Sequence, residues 1–74
     1  MKDYKTLLKD LQIELEELET KIGKLNNFIS IGGVKQVGAA QEILLYSQLN
    51  YMRLYAQILK ARIGDIKENI EKES

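Results

Sequence analysis

Gln48, Tyr51, Tyr55 and Arg62 recur at steps of three, four and seven, which return to one side of an α-helix. Tyr51 and Tyr55 stand one turn apart, with Gln48 one turn before them and Arg62 two turns beyond. The set offers two flat rings, an amide that reads base edges, and a guanidinium fork that pairs with phosphate. In the first half of the chain, Lys21, Lys24 and Phe28 add two cations and a third ring. Base–aromatic stacking contributes about 1–3 kcal/mol per base. Two stacks with two charge-assisted phosphate contacts would therefore hold a small nucleotide. The same residue types are also enriched at protein interfaces, where a tyrosine buries its ring and keeps its hydroxyl wet. Taken alone, the stripe reads first as interface and second as pocket.

Other chemistry is poorly provided for. Cysteine and histidine are absent. That removes disulfides, thiolate nucleophiles, the usual zinc sites and histidine acid–base catalysis. Glu14, Glu16, Glu17 and Glu19 read as a solvated helix face rather than a metal or acid–base pair. The Gly32-Gly33-Val34-Lys35 stretch lacks the spacing and the Lys-Ser/Thr ending of a phosphate loop. No catalytic residue, metal or cofactor is expected, and the chain is not expected to be an enzyme. The 11 Lys plus Arg balance the 11 Asp plus Glu, but unevenly along the chain. Residues 1–20 carry a net −3, residues 21–62 a net +5, and residues 63–74 a net −2. A basic middle in a neutral chain suits a small anion better than duplex nucleic acid, which asks for a dense cationic stripe.

Two helices must position these groups. Proline is absent, and Tyr4, Leu8, Leu11, Leu15, Leu18, Ile22, Leu25 and Ile29 alternate steps of four and three. That is a heptad seam, and Asp3 is placed to cap its helix. A second seam runs Leu45, Leu49, Met52, Ala56, Leu59, Ile63, Ile66 and Ile70. Between them lie Gly32, Gly33 and Gly38, too many glycines for a helix interior. The spacing predicts helices over residues 3–29 and 39–71 with a connector over 30–38, forming one domain, an all-α antiparallel two-helix hairpin. Gly23 and Gly64 interrupt the helical patterns at about 1 kcal/mol each. They read as surface glycines, or as places where another backbone or a ligand comes close.

A hairpin of 74 residues has a marginal core and needs partners. The stripe Leu44, Gln48, Tyr51, Tyr55, Ile58 and Arg62 lies roughly 80–100° from the second seam, and Leu7, Ile13 and Phe28 fall outside the first. One hairpin would leave them exposed as a patch. The expectation is a homo-oligomeric helical bundle, a tetramer rather than a dimer, because two stripes on one helix ask for two kinds of neighbour. No apolar run reaches the roughly 18–20 residues of a membrane span, and the N-terminus lacks the apolar stretch of a secretory signal. A cytoplasmic protein with no membrane partner is expected.

The set Glu17-Leu18, Lys21-Ile22, Lys24-Leu25, Phe28-Ile29 resembles the first helix of a family of small phage-encoded helical proteins named after a crAss-like phage. Gln41, Leu44-Leu45, Gln48-Leu49, Met52, Tyr55, Leu59 and Arg62-Ile63 resemble its second half, with Met52, Tyr55 and Arg62 the most specific part. The resemblance covers about residues 14–63. It departs in the connector, where family members carry a longer acidic stretch with Leu and Phe, and this chain carries glycines and Lys35. The resemblance implies an immune-evasion protein of the sponge type, like the tetrameric anti-CBASS sponge that holds cyclic dinucleotides, acting in the host cytoplasm. A two-helix hairpin has no internal cavity, so such a pocket would form between protomers. A nearly two-fold cyclic dinucleotide would match a two-fold interface. On this reading Tyr51, Tyr55 and Phe28 stack on bases, Arg62, Lys21 and Lys24 neutralise phosphate, and Gln48 reads base edges. The alternative is a coiled-coil adapter that binds a protein partner through the second helix.

Overall fold

A computed structural model describes residues 3–73. Helix α1 spans Tyr4–Ser30 and helix α2 spans Ala39–Glu73. A short 3-10 turn, Gly33–Gln36, lies between them. The molecule is a rod of 53 × 17 × 15 Å, as expected for a long helix with 1.5 Å rise per residue and one neighbour.

The helix ends are set locally. The Asp3 carboxylate accepts from the Thr6 backbone N–H at 3.1 Å and from the Thr6 hydroxyl at 2.6 Å. This satisfies one of the free N–H groups of the first turn. At the other end of α1, the Ile31 N–H donates to the Asn27 carbonyl and the Gly32 N–H to the Ile29 carbonyl. Gly32 then takes φ 81°, a left-handed conformation that a side chain would strain. The Glu42 N–H donates to the Gly38 carbonyl and opens α2.

The two heptad seams face each other. Leu11 and Leu18 of α1 pack with Ala56, Leu59, Ile63 and Ile66 of α2, and Leu59 is fully buried. Tyr4, Leu8, Leu15, Ile22, Met52 and Ile70 close around them. Leu49 and the connector residue Val34 are buried towards the loop end. Val34 has no place in either seam; the 3-10 turn folds it inward.

Three cross-helix contacts fix an antiparallel register. The Arg53 guanidinium donates to the Asn26 side-chain oxygen at 2.9 Å. Lys60 and Glu19 pair at 3.7 Å. The Tyr55 hydroxyl donates to the Glu14 carboxylate. These groups are exposed, where single polar contacts add little stability. The buried seam holds the hairpin, and these contacts mark its alignment.

The expectation of a two-helix hairpin holds. Among the described residues no helix is long and apolar enough to cross a membrane.

Candidate ligand-binding site

Helix α2 is apolar on more sides than the hairpin uses. Ile43, Leu44, Tyr46, Tyr51, Leu54, Tyr55 and Ile58 are all exposed, Tyr51 to 71% and Ile58 to 56%. Leu7 and Ile13 of α1 are exposed as well. An exposed apolar face of this length ordinarily marks an interface.

Two concavities lie along this outer surface. One is lined by Leu44, Ser47, Gln48, Tyr51, Met52 and Tyr55. The other is lined by Tyr4, Leu7, Ile58, Ala61, Arg62 and Asp65, with Ile66 and Asn69. The first brings three of the residues singled out in the sequence into one groove: Gln48, Tyr51 and Tyr55. Gln48 leans its amide towards the Met52 sulfur at 3.9 Å, a weak contact that leaves it available to a ligand. The Tyr51 ring is open to solvent. The Tyr55 ring stands half out of the groove, anchored by its hydroxyl on Glu14. Accepting that hydroxyl, the Glu14 carboxylate holds the Tyr55 pKa above its usual 10.0, with partial burial and the Glu14 charge adding to the rise and the Arg62 charge opposing it.

Arg62 lies in the second groove. Its guanidinium makes no hydrogen bond or ion pair among the described residues. It does not pair with Glu14, which takes the Tyr55 hydroxyl instead. Along α2, Arg62 is about 16 Å from Tyr51 and about 21 Å from Gln48. One protomer therefore presents its rings and its guanidinium on the same face but in separate concavities.

The α1 residues are placed differently. Lys21 and Lys24 are exposed and line neither groove. Phe28 is half-buried at the loop end, with its ring over Gly33. A Cβ on Gly33 would lie 2.5 Å from that ring. The Phe28 ring and the Gly33 backbone thus close the connector onto α1. Gly23 and Gly64 are exposed with open space around them in the protomer.

Sequence reasoning missed Leu54 and Ile43. The signal was present. Ala40, Leu44, Ser47, Tyr51, Leu54, Ile58 and Ala61 alternate steps of four and three, and Asp65 follows at four. This is a second heptad seam on the outer face of α2, exposed throughout. Following the stripe nearest the core seam took in Tyr55 and Arg62 and passed over Leu54.

The family model of the Sequestins matches residues 5–65, which take in most of α1, the connector and α2 as far as Asp65. The chain belongs to the Sequestin family. All seven candidate binding residues fall inside the matched segment. The family name speaks of holding a molecule rather than converting one. No curated protein and no solved structure matches the chain.

Proposed function

We propose that this Sequestin binds and sequesters a small cyclic oligonucleotide, a cyclic dinucleotide in the favoured case, at a pocket formed where copies of the chain meet on the outer face of α2. It acts as a phage-encoded sponge in the host cytoplasm, lowering the free concentration of an immune signal such as the messenger of CBASS. The supporting observation is the groove that holds Gln48, Tyr51 and Tyr55 together, with the unpaired Arg62 guanidinium further along the same face. Rings stack on bases, the amide meets a base edge, and the guanidinium meets a phosphate. Sequestration requires tight binding and no chemical step. A sponge acts by mass action alone, so affinity and copy number determine its effect.

The exposed seam through Leu54 and Ile58 also fits a coiled-coil adapter that binds another protein. A thermal-shift panel separates the two readings. It would contain cyclic dinucleotides, cyclic trinucleotides and pyrophosphate-linked cyclic nucleotides. A ligand at about 100 times its Kd adds about 2.7 kcal/mol to the folded state, a rise of several degrees in midpoint for a domain of this size. Such a rise with a panel member supports the sponge. No rise with any member leaves the adapter.

A further inference from the structure

We propose that Arg62 acts in trans: α2 packs antiparallel on α2 of a second copy, and the Gln48–Tyr51 groove is completed by the partner's Arg62. This rests on the nucleotide-binding reading above and adds how the pocket is assembled.

The outer seam of α2 chooses its own occupant. It mixes large residues with small ones, and an antiparallel dyad between Tyr51 and Leu54 matches them. Ser47 then meets the partner's Ile58, and Leu44 meets the partner's Ala61. Tyr51 meets the partner's Leu54. Each layer sets a large side chain against a smaller one, as close packing requires. The contact is isologous, so it closes on itself and buries the seam of both copies. Two parallel copies would instead set Ser47 on Ser47 and Asp65 on Asp65, leaving a gap and a pair of like charges.

Charge agrees with the antiparallel register. The end of α2, residues 65–73, holds Asp65, Glu68, Glu71 and Glu73 against two lysines. In this register it runs past the start of the partner's α2 at Ala39, towards the connector, whose one charged side chain is Lys35. The free N–H groups at the start of the partner's α2 are there too, and they favour negative charge.

The same register relieves the separation found within one protomer. The partner's Arg62 comes level with Ile43, about 8 Å along the axis from Gln48 rather than about 21 Å. That is within an arginine's reach of the groove. The second groove of the partner, which carries its Arg62, is laid against the first groove of this chain. Each copy contributes rings and amide to one pocket and a guanidinium to the other. The two pockets are related by the dyad, and each is complete in itself, with the rings and amide of one copy and the guanidinium of the other.

Subunit complementation tests this. Tyr51→Ala and Arg62→Ala chains, differently tagged and co-expressed, are purified as mixed assemblies and titrated with the cyclic dinucleotide that wild type binds. Each variant alone should lose at least tenfold in affinity. The mixed assembly should regain wild-type affinity at about half the wild-type stoichiometry, because one pocket then holds both intact groups. A mixture that binds no better than its parents overturns the trans arrangement while wild-type binding stands. If wild type binds no panel member, it is the functional reading that fails. The packing is tested independently of ligand, because the chain has no cysteine of its own. A Ser47→Cys/Ile58→Cys protein should oxidise to a covalent dimer under mild conditions, and Ser47→Cys alone should not. The two positions are too far apart along one helix to join within a chain. No covalent dimer from the double variant, or a ready dimer from the single one, overturns the antiparallel packing.

Discussion

The Tyr55 hydroxyl donates to the Glu14 carboxylate and ties the outer groove of α2 to the charged face of α1. The contact orients the Tyr55 ring. It also raises the Tyr55 pKa above 10.0, chiefly through the hydrogen bond. A raised phenol pKa gives stability that is fully present below the unfolded value and is lost as pH rises through the folded one. Tyr55 should ionise late in a tyrosinate absorbance titration. Glu14→Gln should bring that late step back towards 10.0. A titration unchanged by Glu14→Gln would show that the pair does not persist in solution.

The connector makes a second testable contact. Gly33→Ala places a methyl 2.5 Å from the Phe28 ring, so the ring must move. Over-packing of this kind costs about 1–3 kcal/mol. Phe28→Leu removes the edge of the ring and should recover most of that loss in the double variant. Denaturant melts of the four proteins give the coupling. Additive effects would mean that Phe28 does not sit on Gly33.

Neighbouring residues on α2 should behave differently under truncation. Leu59 is fully buried in the hairpin, so Leu59→Ala should cost about 2–5 kcal/mol. For a core this small that is most of the stability available. Ile58 is 56% exposed in the protomer. If the protomer worked alone, Ile58→Ala would change stability by no more than about 0.5 kcal/mol. In an assembly closed over the outer seam, it should shift the dissociation midpoint to higher protein concentration. Sedimentation velocity over a dilution series measures it. An Ile58→Ala protein with wild-type assembly would place the interface elsewhere.

The hairpin was legible in the sequence because both core seams keep strict heptad steps. Every residue of those seams is buried or half-buried in the structure. Asp3 was legible as a cap for the same local reason. Contacts that depend on hairpin register were not. Arg53 with Asn26 and Lys60 with Glu19 need the two helices slid to one alignment, which no single helix encodes. The packing of Phe28 on Gly33 also escaped, because a helix-face argument places Phe28 outside the first seam and knows nothing of the turn that folds under it. Of the seven candidate residues, the structure gathers Gln48, Tyr51 and Tyr55 in one groove. It puts Arg62 in the next groove and leaves Lys21 and Lys24 on the open side of α1. Same-face reasoning gives the azimuth around a helix, and the distance along it separates Arg62 from the rings.

Native mass spectrometry of the purified chain with the cyclic-nucleotide panel reads assembly, stoichiometry and ligand fate together. The account predicts a complex of two or more 8.5 kDa chains carrying a cyclic nucleotide whose mass is unchanged on release. An 8.5 kDa monomer that carries no panel member would contradict both the assembly and the sequestration.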